Sequence, residues 1–233
     1  MFSPDSKFFA TSIAEGQVHL WDVDTGQCQR TFSGHQGFAL KTAFNRDGSI
    51  LASVGIDNTI KLWNTKTGDC IQTLTEHQTL IWDIAANPVE NTFITGSVDR
   101  TVKLWDFTTG KCLRTFLGHE QGVMSVAFDN DGLTIASGSD DLTVRVWEIS
   151  TGERLQVLSG HSGVIPSLVF SPQPNILASA SFDETIKLWD ISTGKCLKTM
   201  RSPKLYKNMD ITAIEGLTKA QKTTLKNLGA FTQ

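Results

Sequence analysis

The sequence predicts an all-β protein built from five copies of one structural repeat. The first observation is a tryptophan that recurs every 42 residues, at Trp21, Trp63, Trp105, Trp147 and Trp189. A fixed period of this length is typical of architectures in which each repeat is one supersecondary unit stacked on its neighbours. The second observation is that each repeat holds four short apolar runs separated by turn residues. Four antiparallel strands per repeat predict the blade of a β-propeller.

The fourth repeat shows the predicted elements in order. Its first strand is Val123–Phe128, and the Asp-Asn-Asp-Gly turn after it suits the positive φ angles of tight turns. Enrichment in apolar and β-branched residues predicts the other three strands at Thr134–Ser139, Thr143–Ile149 and Arg154–Leu158. The repeats end near residues 32, 74, 116, 158 and 200, which predicts a propeller domain over residues 1–200.

The two ends of the chain depart from the repeat. Met1 falls inside what would be the first strand of the first repeat, so we expect blade 1 to lack its innermost strand and to be the least stable blade. Residues 201–233 form an extension in which Thr218 and Gln221 have the spacing of a capping box. This spacing predicts a helix over about residues 219–228, ended by Gly229.

Composition and charge disfavour several classes of partner. No apolar run approaches the length of a membrane span, and the N-terminus lacks the features of a signal peptide. We therefore expect a cytoplasmic protein without a membrane partner. Residues 1–200 carry a net charge of −7, which disfavours nucleic acid as a partner, and the charge of +4 on residues 201–233 is thinly spread. The four cysteines occupy one repeat position, too far apart for disulfides or a shared zinc ion.

Two recurring dipeptides carry a resemblance to a known family. Trp-Asp occurs at Trp21-Asp22, Trp105-Asp106 and Trp189-Asp190, and Gly-His occurs at Gly34-His35, Gly118-His119 and Gly160-His161. With these dipeptides in phase, residues 1–200 resemble the WD-repeat (WD40) β-propellers. The resemblance implies a non-enzymatic scaffold that mediates protein–protein or protein–peptide interaction through the top face of the propeller. The extension is similar to the C-terminal extensions of bacterial multidomain WD-repeat proteins.

The resemblance also raises the question of ring closure. Most members of the family close with more blades than five. We therefore expect either a tight five-blade ring or an open arc, which would fit the C-terminal part of a longer protein. An open arc exposes strand edges and could form a homo-oligomer.

A His, a hydroxyl residue, an Asp and the Trp recur together in four repeats. The sets are His35, Ser53, Asp57 and Trp63; His77, Thr95, Asp99 and Trp105; His119, Ser137, Asp141 and Trp147; and His161, Ser179, Asp183 and Trp189. Each has the ingredients of a hydrolase triad, but an active site is needed once and these sets recur at constant offset. The resemblance implies buried structural hydrogen-bond networks, and we expect no catalytic residue among them.

Residues that differ between repeats are the candidates for binding. In the resembling family the top face is formed by the loops that enter the first strand and those that join the second and third strands. Most of these variable positions are apolar here, which predicts a binding face made of Phe38, Leu40, Ile56, Leu80, Trp82, Val98, Met124 and Phe182. The alternative is that some of these side chains fold inward.

Three functions remain open at the level of sequence. The first is the interaction scaffold. The second is the sensor or regulatory end of a larger bacterial signalling protein with a nucleotide-binding ATPase domain. The third is a propeller enzyme, for which substitution of Asp83 and Asp140 in an activity screen would be the test. Neither a cofactor nor a metal site is predicted, because the chain has no acidic calcium loop, no Gly-rich phosphate loop and no His pair at helical spacing.

Overall fold

The computed structural model describes residues 1–201, 212, 218–227 and 230. The chain divides into two compact units, Met1–Thr199 and Met200–Gln233. In the described residues, 19 strands form five antiparallel sheets and one short helix follows them, which confirms the predicted all-β class and the five blades. Within this part of the chain, no helix is long and apolar enough to cross a membrane.

Each blade is a meander in which strands follow one another in chain order. Blade 1 contains β1 (Phe8–Ser12), β2 (Gln17–Asp22) and β3 (Cys28–Ser33). Blade 2 contains β4 (Ala39–Phe44), β5 (Ile50–Gly55), β6 (Ile60–Asn64) and β7 (Cys70–Leu74). Blade 3 contains β8 (Ile81–Ala86), β9 (Thr92–Ser97), β10 (Val102–Asp106) and β11 (Cys112–Phe116). Blade 4 contains β12 (Val123–Phe128), β13 (Thr134–Ser139), β14 (Thr143–Glu148) and β15 (Arg154–Ser159). Blade 5 contains β16 (Ser167–Phe170), β17 (Ile176–Ala180), β18 (Thr185–Asp190) and β19 (Lys195–Arg201).

Blade 1 has three strands, as the position of Met1 in the repeat predicts. A short stretch before β1 takes part of the place of the first strand. Phe2 forms a bridge with Phe9, and the backbone of Met1 exchanges two hydrogen bonds with Ala10, at 2.8 and 3.0 Å. Met1, Phe2 and Ser3 therefore pair with β1 in part of the place that a complete first strand would occupy.

The recurring tryptophan defines the two faces of each blade. We call the side that carries it the Trp face and the other side the opposite face. The opposite face of each blade packs against the Trp face of the next, and four separate apolar clusters fill the four interfaces. Between blades 2 and 3, for example, Ile60 and Leu62 pack in one cluster with Phe93 and Trp105. Burial of large apolar side chains, at about 1.5–3 kcal/mol each, makes these interfaces the main source of stability.

The first and last blades each leave one face exposed. On the Trp face of blade 1, Trp21 is only half-buried and Phe2 is 61% exposed, whereas Trp105 is 0% exposed. On the opposite face of blade 5, Val169 is 60% and Ile186 is 45% exposed. In a closed ring these two faces would cover each other, so this unit has the arrangement of an open series of blades.

The second unit contains the helix α1 (Lys219–Asn227). Its first turn has the reciprocal bonds of a capping box. The Thr218 hydroxyl accepts the Gln221 backbone N–H at 3.2 Å, and the Gln221 side chain accepts the Thr218 N–H at 2.9 Å. Residue 228, the predicted last residue of the helix, and Gly229 lie outside the described residues.

Candidate functional site

In each of blades 2 to 5, two loops meet at the same end of the sheet. One loop enters the first strand and the other joins the second and third strands. In blade 2 the Ile56 N–H donates to the Phe38 carbonyl at 3.0 Å, and in blade 3 the Val98 N–H donates to the Leu80 carbonyl at 2.9 Å. Blade 5 repeats the bond from Phe182 to Val164 at 3.0 Å. We call this end of the propeller the top face.

A side-chain network lies directly beneath each pair of loops. In blade 4 the Trp147 indole N–H donates to the Ser137 hydroxyl at 2.9 Å, and Ser137 lies 2.8 Å from His119 Nε2. His119 Nδ1 lies 2.7 Å from Asp141, whose carboxylate also accepts the Glu120 N–H at 3.1 Å. Because Asp141 only accepts, His119 carries its proton on Nδ1, and Nε2 accepts the serine proton. The network thus joins the third strand to the loop before the first.

The other three complete networks have the same geometry. The Trp indole donates to the hydroxyl at 2.8–2.9 Å, and the hydroxyl lies 2.7 Å from His Nε2 in each. His Nδ1 lies 2.7–3.0 Å from the Asp in the sets of His35, His77 and His161. Blade 1 retains only the first link, from Trp21 to Thr11 at 2.8 Å, and Glu15 is exposed.

Burial decides what these networks can do chemically. The hydroxyls of Ser53, Thr95 and Ser137 belong to residues that are 0% exposed, and Ser179 is 1% exposed. Each hydroxyl already accepts the indole proton and donates its own to histidine. At this burial a substrate has no access to the oxygens, and each set links the loops of its blade to the strands through hydrogen bonds.

The electrostatics of the networks favour a charged Asp and, in the set of His35, a neutral His. For Asp99, Asp141 and Asp183, burial acts to raise the pKa, but hydrogen bonds from the His and Thr side chains and the backbone outweigh it, and the pKa lies well below its usual range. The pKa of Asp57 is lowered in the same way. Burial lowers the pKa of His35 despite the attraction of Asp57.

These pKa shifts predict that acid destabilises the fold. A carboxylate whose folded pKa is depressed contributes stability above its unfolded pKa of about 3.9 and loses it as pH falls. The lowered pKa of His35 acts in the same direction below about pH 6.5, since the unfolded state then binds the extra proton. We expect the free energy of unfolding to be highest near neutral pH and to fall steeply below about pH 5.

Denaturant unfolding at a series of pH values measures this effect. Asp141→Asn removes one of the depressed carboxyls, so it should be less stable than the parent at pH 7 and lose less stability on going from about pH 5 to pH 3. A parent protein with an unfolding midpoint that stays constant down to about pH 3 would contradict the assigned charges.

The predicted binding residues fall into two groups by exposure. Five are exposed at the top face: Phe38 (52%), Ile56 (38%), Trp82 (38%), Val98 (41%) and Phe182 (72%). Leu80 and Met124 are half-buried. Leu40 is half-buried and packs against the apolar cluster between blades 2 and 3. Its side chain therefore folds inward, which was the alternative to a position on the binding face.

β-Bulges place the variable residues of the first strands. The pairing register shifts between Ala39 and Lys41 in blade 2, between Ile81 and Asp83 in blade 3, and between Val123 and Ser125 in blade 4. The extra residues, which include Trp82, have no partner on the neighbouring strand. A bulge re-aims the side chain of its extra residue, and Trp82 becomes exposed while Ile81 beside it is 0% exposed.

Asp83 has a structural role that sequence reasoning missed. Its carboxylate is 2.8 Å from the Lys41 ammonium and accepts the Ile84 N–H at 2.8 Å and the Val126 N–H at 3.0 Å. It therefore joins the first strands of blades 2, 3 and 4. Burial raises the pKa of Asp83 against the lowering effect of Lys41. The sequence held one signal for this role: Asp occurs at this repeat position only in blade 3, whereas blades 4 and 5 carry Ser125 and Ser167 at the same position.

A family model described as "WD domain, G-beta repeat" matches residues 26–64, 68–106, 110–148 and 152–190. The four matches together cover more than half of the chain. Repeats of this kind generally form scaffolds for protein–protein interaction. Among the residues that the structure describes, no group of three or more His, Cys, Asp or Glu side chains could hold a metal ion.

Proposed function

Because the chain belongs to the WD-repeat family, we propose that it is a non-enzymatic scaffold that binds a protein or peptide through its top face. The observation that carries the proposal is the exposure of large apolar side chains on the loops and on the bulged first strand of the top face. Phe182, Phe38 and Trp82 are 72%, 52% and 38% exposed at this end of the propeller. Exposed aromatic side chains at the centre of a surface are typical of protein interfaces.

Glycines lie close to two of the exposed apolar residues. Ile56 lies beside Gly37, where an added Cβ would come within 2.8 Å of the Ile56 side chain. Gly122 of blade 4 lies against Val98 of blade 3, and a Cβ added there would be 3.2 Å from the Val98 Cα. Glycine at these places leaves the apolar side chains uncovered and allows the loops to approach closely.

The loops that carry the apolar residues are held in place before any partner binds. Gln36 follows His35, and its N–H donates to Asp57 at 2.8 Å; Asp57 in turn follows Ile56. The networks therefore connect Phe38 and Ile56 to the core through buried groups. A pre-ordered face loses less conformational entropy on binding, which favours affinity for a short extended or helical peptide.

Binding to selected peptides tests the proposal. Peptides are selected from a random display library against the wild-type protein, and their affinities are then measured for variants. We expect Trp82→Ala and Phe182→Ala each to weaken binding by about 1–4 kcal/mol, as truncation of interface aromatic residues does, and to leave the unfolding midpoint nearly unchanged.

Leu113→Ala is the matched control. Leu113 is 52% exposed, like Phe38, but lies on the outer strand of blade 3, away from the top face. Peptide affinity should be unaffected by this change. Selected peptides that bind all three variants as tightly as the wild type would refute the top face as the binding surface.

A further inference from the structure

The interface between blades is repeated four times in this chain and always has the same polarity. The opposite face of one blade receives the Trp face of the next, never a second opposite face. The opposite face contributes small and branched side chains, such as Ala136, Val144 and Val146 of blade 4. The Trp face contributes larger ones, such as Leu177 and Trp189 of blade 5, which are 0% and 1% exposed.

The two ends of the blade series carry the two unpaired halves of this interface. On the Trp face of blade 1, Phe2, Phe9 and Trp21 hold the places of Phe44, Leu51 and Trp63 one period later. Those three residues of blade 2 are at most 4% exposed, whereas Phe2 is 61% exposed and Phe9 and Trp21 are half-buried. The aromatic rings of this end lie together, with Phe9 stacked on Trp21 at 6.1 Å and 5.9 Å from Phe2.

Blade 5 presents the complementary half. Ile186 and Leu188 hold the places of Val144 and Val146 in blade 4, both of which are 0% exposed. Ile186 is 45% exposed, Leu188 is half-buried, and Val169 on the same face is 60% exposed. Isoleucine and valine on an uncovered sheet face favour association with another apolar surface.

We propose that these faces bind each other between two copies of this chain, so that the opposite face of blade 5 packs on the Trp face of blade 1 of the second copy. The occupant is argued from the chain itself, which supplies both halves of an interface that it already forms four times. The contact is heterologous, and such contacts produce a closed ring or an open series of copies according to the angle between them. It uses neither Trp82 nor Phe182 and is independent of the proposed top-face function.

Sedimentation of the full chain over a range of concentrations tests the contact. We expect the wild type to have a mass above that of one chain at micromolar concentration, the range of a specific interface of ordinary affinity. Ile186→Lys and Phe2→Lys each place a charge on one of the two faces and should shift the association to at least about tenfold higher concentration. Leu113→Lys, equally exposed but on the outer strand β11, should associate like the wild type.

A mixture of the two variants identifies which faces meet. Phe2→Lys retains an intact blade 5 face and Ile186→Lys an intact blade 1 face, so an equimolar mixture should form a dimer that neither variant forms alone. Association of two blade 5 faces would instead leave Phe2→Lys unaffected and overturn the proposal. A wild type that stays a single chain at about 100 µM would also overturn it.

Folding is checked independently for each variant. Circular dichroism and the unfolding midpoint of the single-chain species should match the wild type, since Phe2 and Ile186 are exposed. If Phe2→Lys disturbs blade 1, His19→Glu tests the same face, because the His19 ring lies 5.6 Å from Trp21. Val169→Lys is the second variant for blade 5, and retained association in both second variants would overturn the proposal.

Discussion

Trp105→Ala is expected to destabilise the protein by about 3–5 kcal/mol, the range for removal of a buried aromatic side chain. Trp105 is 0% exposed and stacks on Phe93 at 6.1 Å between blades 2 and 3. Its indole N–H donates to Thr95 at 2.9 Å. The change leaves a cavity between two blades and removes the indole N–H that donates to the Thr95 hydroxyl. Denaturant unfolding followed by circular dichroism measures the loss.

Trp21→Ala is the matched control in the same repeat position. Trp21 also donates to a hydroxyl, that of Thr11 at 2.8 Å, but no further blade among the described residues covers its face, and it is only half-buried. Both changes are made in an Ile186→Lys background, so that contacts between copies do not cover Trp21. We expect Trp21→Ala to cost less than half as much as Trp105→Ala. Equal losses would show that the blade 1 face is as well covered as an internal one.

The second large effect is expected from His119→Ala. This change removes the acceptor of the Ser137 proton and the donor to Asp141, which lie 2.8 and 2.7 Å from the ring. Leaving a buried polar group without its partner costs about 1–3 kcal/mol, and two groups are affected here. The unfolding midpoint should fall clearly, and amide hydrogens of the loop before β12 should exchange faster, because the loop loses its link to the third strand.

His19→Ala separates this effect from loss of a histidine in general. His19 is half-buried in blade 1 and lies 3.3 Å from Gln17, outside the four networks. His19→Ala and His119→Ala are both made in the Ile186→Lys background. In that background His19→Ala should change the free energy of unfolding by no more than about 0.5 kcal/mol. Similar losses in the two variants would mean that the networks contribute nothing special to stability.

Much of the fold could be predicted because the repeat is a local and strongly patterned signal. The strands predicted for blade 4 lie within one residue of those observed at every end. The four networks were also readable, since hydroxyl, His, Asp and Trp recur at constant offsets and a recurring set belongs to the scaffold. Alternation of side chains across a strand places the hydroxyl and the Trp of each set on one face.

The exposed residues of the top face could be predicted from the sequence only in part. Phe38, Trp82 and Phe182 stand out because they differ from their counterparts in other repeats. The sequence could not tell that Leu40 packs toward the core while Trp82, which holds the same position one repeat later, is exposed. Each is the extra residue of a bulge in a first strand, and the direction of a bulged side chain depends on the neighbouring blade. Asp83 shows the same limit, because two of its partners, Lys41 and the Val126 N–H, lie on the two neighbouring blades.

The sequence by itself determined the class of fold, the number of blades and the composition of each network. These follow from periodicity, since the order of residue types within one repeat specifies strands, turns and buried polar partners. Only the tertiary structure decided which faces are covered. Trp21 and Trp105 occupy the same position in the repeat, yet one is half-buried and the other is 0% exposed. The burial of a residue depends on whether a neighbouring blade packs against it, and the sequence of one repeat does not specify which faces of its blade are covered.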